Sequence, residues 1–324
     1  MRGFDNRWRD FPDYILGITA EIWEGRETGP RMRDYYAPRV IVRMPSGVTV
    51  GEPSATSATV ATLHEFPDRV LLGEDVIWSG TPEDGLLSSH RILSTATHRG
   101  DGAFGRATGA KITWRAIADC YAKDNQISDE WLVRDNGALV RALGKTPEDW
   151  AKARVADGQG GAPYTPENDV EGPYTARGND SEWGARLESI LSRMMSAEFS
   201  VIPLEYDRAC HLEYPSGVSA HGQGAADAFW LGLRASFPSA AFAVHHVIGR
   251  DDPMMPPRSA VRWSLWGRHD GWGPYGAPTG AMVHVMGITH AEFGMLSEGQ
   301  VKLRREWTLY DETAVWTQIA QATG

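Results

Sequence analysis

His98 and His269 stand in matching settings, each two residues before a glycine and ten before a Thr-Gly pair. Histidine titrates near neutral pH without perturbation, so both are candidates for general acid/base work or for hydrogen bonding to a substrate. The structural alternative is a strand-end histidine bonded to the glycine-rich loop that follows it. Arg91 and Arg262 share a second position, seven residues upstream of those histidines. An arginine on an apolar strand needs a carboxylate partner when buried, so each either orients a substrate or makes an ion pair away from it. Asp119 and His290 form a third equivalent pair, as acid/base residues or as outward-facing side chains. Of the ten histidines, seven follow residue 200, and His211 alternates with Glu213 on one strand. A metal site is conceivable there, but no H-x-x-x-H or H-E-x-x-H spacing exists, and neither a metal nor a cofactor is expected.

Aromatic residues describe the expected ligand. Tyr36, Arg91 and Trp114 in the first half, and Trp263, Trp266, Trp272 and Tyr275 in the second, are candidate walls for a flat, ring-bearing molecule. Most such rings also serve as core. Tyr36 ends a helical stretch and is a candidate phenol donor. The run Gly100-Asp101-Gly102-Ala103-Phe104-Gly105 lies between two strands, which is not the setting of a phosphate loop.

These residues are positioned by a tandem repeat. Pro45-Ser46-Gly47-Val48 recurs as Pro215-Ser216-Gly217-Val218. At an offset of 171 residues, Gly51 matches Gly222, Phe66-Pro67 matches Phe237-Pro238, and Val76-Ile77 matches Val247-Ile248. The same offset relates Phe104-Gly105 to Tyr275-Gly276 and Thr108-Gly109 to Thr279-Gly280. Glu130-Trp131 matches Glu306-Trp307 at 176, which implies an insertion in the second copy. Two domains are expected, 1–155 and 181–324. They flank a Gly- and Pro-rich linker at 156–180 with no helical or strand period.

Each copy opens with a helical stretch, 11–36 or 183–202, in which Ile15, Ile18, Ile22 and Trp23 recur at helical spacing. A strand (39–44; 209–214), a Pro-Ser-Gly turn and a second helix (59–65; 225–236) follow. Four strands complete the unit, in copy two 241–248, 258–268, 281–293 and 300–310. Helices first and a meander afterwards predict an α+β fold, with helices packed on a curved, mostly antiparallel sheet.

Composition bounds the partners. Apolar residues make up 42% and charged residues 23%, which suits a globular chain and excludes disorder of the whole. The formal net charge of −10 comes without any Lys/Arg-rich run, so nucleic acid is not an expected partner. No apolar run is long enough to span a membrane, and the N-terminal residues have no apolar leader, so no membrane partner and a cytoplasmic location are expected. Cys120 and Cys210 form no metal or disulfide pattern and read as buried small residues.

The run Val261-Arg262-Trp263-Ser264-Leu265-Trp266-Gly267-Arg268-His269-Asp270-Gly271 resembles the corresponding stretch of SnoaL-like polyketide cyclases, of the nuclear-transport-factor-2-like superfamily. Copy one is similar through Ala107-Thr108-Gly109, Lys111-Ile112-Thr113-Trp114-Arg115 and Ile127-Ser128-Asp129-Glu130-Trp131. The resemblance implies two cone-shaped α+β domains that associate through their sheets as an intramolecular pseudo-dimer, with further self-association left open. It also places the cyclases' catalytic aspartate at Ala118 and Thr289, neither of which is an acid. Asp119 and His290 lie one residue later, which on a strand normally means the opposite face.

Two readings follow. The first is a cofactor-free acid/base enzyme, an isomerase, dehydratase or aldol-type cyclase acting on a small, largely apolar ring-bearing carbonyl or hydroxyl compound. Copy two, with its intact Arg-Trp…Gly-x-His-x-Gly run, is the expected active cone. The second is a non-catalytic binding or scaffold protein with one or both cones plugged.

Overall fold

A computed structural model describes residues 1–295 and 299–324. The chain divides into two compact units, Met1–Thr146 with Tyr164–Ala176, and Pro147–Pro163 with Arg177–Gly324.

The first unit runs α1 (Phe11–Thr19), α2 (Pro30–Tyr35), β1 (Tyr36–Met44), β2 (Gly47–Val50), α3 (Glu52–Glu65), β3 (Val70–Thr81), β4 (Gly85–Thr97), β5 (Lys111–Lys123), β6 (Gln126–Arg134) and α4 (Asn136–Ala142). The second runs α5 (Pro147–Ala156), α6 (Glu182–Met195), α7 (Val201–Glu205), β7 (Tyr206–Tyr214), β8 (Val218–His221), α8 (Gln223–Ser236), β9 (Ala241–Arg250), β10 (Arg258–Arg268), β11 (Met282–Gly294), β12 (Lys302–Tyr310) and α9 (Glu312–Thr323). The six-stranded sheets have the same order, β2-β1-β6-β5-β4-β3 and β8-β7-β12-β11-β10-β9. Within each, the last four strands form the antiparallel meander, and the first long strand pairs in parallel with the last. The α+β class and the repeated element order follow the expectation.

Local chemistry repeats with the topology. Gly51 (φ 95°) and Gly222 (φ 85°) each turn the chain from the short strand into the second helix. Each donates its N–H back to the first strand, to Val40 and Cys210 respectively. That left-handed conformation is costly for a residue with a Cβ. Asp135 and Asp311 cap the helices that follow the meanders, accepting from Ala138 N and Thr313 N. The expected first helix of 11–36 is broken. A π-helical turn at Ala20–Glu24 follows α1, Arg26 takes a positive φ of 59°, and Pro30 starts a new helix because it has no N–H to continue the old one.

The division of the chain differs from 155 and 180. Helix α5 belongs to the second unit, packed on α9. Linker residues 164–176 belong to the first unit because buried ions hold them there. Arg43 Nη1 meets Asp129 at 2.9 Å and its Nε meets Asp169 at 2.5 Å. Asp129 accepts the Tyr174 N–H, and the Arg43 guanidinium stacks on Trp131. Residues 177–180 join the second unit, Gly178 bridging to Val247.

Removing one member of a buried ion pair leaves the other uncompensated. Arg43→Met is expected to lower unfolding free energy by about 3–5 kcal/mol, read from urea denaturation at neutral pH. A loss within the range of an exposed pair, under about 1 kcal/mol, would mean the clasp does not hold the segment.

Candidate active site

The first unit contains a cavity of about 160 Å³, walled by the sheet, α1 and α3. Strand register shows how it forms. On the cavity face of β5 lie Trp114, Ala116, Ala118 and Cys120, opposite Ser94, Ile92, His90 and Ser88 on β4. On the other side Ala116 faces Arg134, Ala118 faces Leu132 and Cys120 faces Glu130 on β6. Two alanines on the central strand therefore make a floor between His90 and Ile92 on one flank and Glu130, Leu132 and Arg134 on the other. Ala55, Ala58, Thr59 and Thr62 of α3 form a roof of small residues. Such a volume matches cavities that accept a single aromatic ring.

Tyr36, Arg69, His90, Cys120, Glu130 and Arg134 are the ionisable groups that line this space. Glu130 is buried and accepts from the Tyr36 hydroxyl at 3.3 Å. Burial raises its carboxyl above the ordinary value, while Arg134 and the Tyr36 hydrogen bond oppose the rise. The Tyr36 phenol is driven well above its ordinary range, by burial first and by Glu130 second. Burial and the neighbouring Arg91 guanidinium push His90 down to about 4, so its imidazole is neutral. Its Nε2 has no hydrogen-bond partner. Arg69 is 6% exposed and held by Ser94, which accepts from its Nε and Nη2 at 3.3 and 2.9 Å. Trp23 and Trp114 stack on the guanidinium at 4.7 and 5.0 Å. Burial and Arg134 depress its pKa to about 9.

The sequence candidates are placed differently. Tyr36 lines the cavity, and Trp114 stacks on the Arg69 guanidinium. His98 and His269 do not line it. Each is fully buried at a strand end, with Nδ1 at 3.2 Å from Thr108 Oγ1 and 3.0 Å from Thr279 Oγ1 respectively. Each backbone carbonyl accepts from the glycine that ends the loop, Gly109 and Gly280. His98 Nε2 also approaches Glu65 Oε1 at 3.4 Å. Both are loop fasteners, and the acid/base role expected of them does not fit this position.

Asp119 and Arg91 lie on the opposite face of the sheet from Ala118 and His90, because strand side chains alternate. Arg91 pairs there with Glu74 at 3.1 Å, a carboxylate that Arg115 shares at 2.9 Å. His290 and Arg262 lie likewise on the far face from Thr289 and Trp263. Trp266 packs edge-on to His284 on that face too, and Trp272 is 72% exposed. Tyr275 is buried against Phe237, His269 and Trp316. His211 pairs with Glu213 at 3.0 Å and stacks on His221. Among the described residues no group of three or more metal-ligating side chains gathers.

The preference for the second unit is overturned by packing. Repeat equivalents of Ala58, Thr59 and Thr62 are Phe229, Trp230 and Leu233, and Ile92 becomes Trp263. Trp263 lies over Gly287, the repeat equivalent of Ala116, where an added Cβ would sit 2.2 Å from the indole. Trp230 and Trp263 are fully buried with centroids 5.9 Å apart, and Phe229 stacks on Tyr214 at 3.8 Å. Glu306, the counterpart of Glu130, is consumed by this plug. It accepts from Thr308 (2.6 Å), Tyr206 (2.7 Å), Trp230 (3.2 Å) and Tyr214 (3.3 Å). Burial lifts its pKa to about 7 despite these bonds.

Glu130, Arg134, Arg69 and His90 were not among the sequence candidates. Glu130 was visible as half of the repeated Glu-Trp pair. His90 and Arg91 are not distinguished by sequence pattern, because β4 is buried on both faces along most of its length and shows no alternation.

No family model and no curated protein matches the chain. Solved structures similar to it include a protein from Jannaschia sp. named as a SnoaL-like polyketide cyclase, 21% identical, covering 44% of this chain and 96% of that one, TM-score 0.35. Others are AclR from Streptomyces galilaeus, named as a hydroxylase (20%, 41% and 94%, 0.35), and IdmH from Streptomyces antibioticus, named as a polyketide cyclase (19%, 40% and 97%, 0.34). Each match spans about the length of one repeat, and the likeness is one of fold alone. No helix among the described residues is long and apolar enough to cross a membrane.

His98→Ala and His269→Ala should each cost about 0.5–1.5 kcal/mol through a lost loop hydrogen bond, seen as a lower Tm, and leave ligand binding in the cavity intact. Loss of binding at unchanged Tm would return these histidines to the site. Because the folded pKa of Glu306 lies above its ordinary value of 4.5, the folded state holds the extra proton between pH 4.5 and about 7. Its contribution to stability is therefore most favourable at low pH and falls as pH rises through that window. Glu306→Gln should flatten that stretch of the stability–pH curve, and an unchanged slope would assign it to another group.

Proposed function

We propose that the first unit is a cofactor-free acid/base enzyme for a small, largely apolar ring-bearing carbonyl or hydroxyl compound. One observation carries this reading. A buried carboxyl and a buried neutral imidazole with an unused ring nitrogen flank one ring-sized cavity, separated by a floor of alanines. Glu130 is the proton-transfer group. Its raised pKa makes the ionised carboxylate a stronger base than an ordinary one, and Tyr36 orients the carboxyl. The ligand lies on Ala116 and Ala118 with its reacting carbon toward Glu130. When Glu130 removes the proton beside a carbonyl, negative charge grows on the oxygen. His90 Nε2–H, as the donor tautomer, and the Arg134 guanidinium are the groups that stabilise it. Returning the proton elsewhere gives isomerisation, losing a β-hydroxyl gives dehydration, and attack on a second carbonyl gives aldol-type cyclisation. The second unit, with its cavity positions filled by aromatic rings, is assigned a scaffold role.

The test does not require the natural substrate. Small cyclic ketones incubated with the protein in D2O should exchange their α-hydrogens, followed by proton NMR. Glu130→Gln should slow the exchange by about 10²–10⁴-fold, whereas Asp119→Asn, on the other face, should leave it unchanged. Exchange should rise with pH through a midpoint above the usual carboxylate range as Glu130 ionises. Full activity in Glu130→Gln would remove this residue from the chemistry and favour a purely binding cavity.

A further inference from the structure

Arg69 is anomalous for a buried cation. Among the described residues no carboxylate pairs with it. Its faces are covered by two indoles and two of its nitrogens are taken by Ser94. The remaining nitrogen, Nη1, is buried with no hydrogen-bond partner, and the residue lines the cavity. A second cation, Arg134, acts on it and disfavours its charge. A buried guanidinium without a counter-ion, beside another positive group, is stable only when something compensates it, and the place left open for that partner is the cavity itself.

From these contacts we infer that the ligand of the first unit carries an anionic oxygen group, a carboxylate in chemical class, which docks on Arg69 Nη1 while its ring lies over Ala116 and Ala118. This rests on the cavity being a ligand site, as proposed above, and adds the ligand's charge and orientation. The strand register supports the orientation. Ser94 and Trp114, which hold Arg69, form one cross-strand pair, and Cys120 and Glu130 form another. Three two-residue steps of about 6.7 Å each, with Ala116 and Ala118 between them, separate the two pairs, so the carboxylate end and the proton-transfer end lie toward opposite ends of the cavity. That separation keeps a bound anion away from Glu130, which would otherwise repel it. The two indoles fix the guanidinium plane, so Nη1 is held ready for the oxygen and little side-chain freedom is lost on binding.

The probes are benzoate and its neutral isostere benzamide, with benzyl alcohol as an uncharged reference, titrated calorimetrically into the full-length protein at neutral pH. Benzoate should bind the wild type more tightly than benzamide by about tenfold or more, the usual yield of a charge-assisted hydrogen bond. Arg69→Met, which keeps the packing against Trp23 and Trp114, should bring the two within about threefold and leave benzyl alcohol affinity unchanged. Equal affinity of wild type for benzoate and benzamide overturns the inference and leaves the cavity reading standing. So does a benzoate preference that survives in Arg69→Met. Failure of all three compounds to bind would overturn the cavity reading and the inference together. If Arg69→Met does not fold, the wild-type comparison of benzoate with benzamide decides alone.

Discussion

Side-chain volume over the central strand of each sheet determines what each unit can do. In the first unit Ala116 and Ala118, facing small residues on α3, leave a hole about the size of one ring. In the second, Gly287 makes room for the Trp263 indole, Trp230 comes down from α8 to meet it, and Phe229 packs edge-on to Trp230. Both solutions satisfy close packing. One fills the interior with protein, and the other leaves a gap with polar groups in its walls.

The electrostatics follow from that difference. Glu130 and Glu306 occupy equivalent strand positions and each has a tyrosine at the end of the preceding helical segment, Tyr36 and Tyr206. Around Glu306 three further donors close in, so the carboxyl is saturated by its own protein. Around Glu130 the corresponding positions are Thr59, Met44 and Leu132; Met44 and Leu132 have no side-chain donor, and the Thr59 hydroxyl donates to Ala55 O. The same residue type is a saturated structural hub in one unit and faces open space in the other, because donors surround one and a cavity borders the other. Arg69 and His90 belong to the open unit for the same reason. Their equivalents, Ala240 and Val261, have no polar atoms to satisfy once the space is filled.

The histidines show how similar motifs can serve the frame and not the site. His98 and His269 each end a strand, hold a Thr-Gly loop and stack near a phenylalanine, Phe66 and Phe237. Their repetition reflects a shared mechanical task of closing the glycine-rich connection between the two longest strands of each sheet. A feature kept in both a filled and an open unit is explained by what the two have in common, which is the fold.

The tandem duplication, the α+β class, the order of helices and strands and the absence of a nucleic-acid-binding charge pattern were all legible in the residues themselves. They depend on local propensity, on glycine and proline at turns, and on repeated spacing, all of which are written along one dimension. The cavity was legible only in part, through Tyr36 and through the loss of an acid at Ala118. Which unit stays open, and whether His90 or Arg91 faces inward, were decided by tertiary structure. Strands β4 and β5 are buried on both faces for most of their length, so the two-residue alternation that normally betrays the inner face is silent there. The volume of a cavity is set by residues far apart in the chain, Ala58 with Ala118 in one unit and Phe229 with Trp263 in the other, and no spacing rule relates them before the sheet and helices have packed.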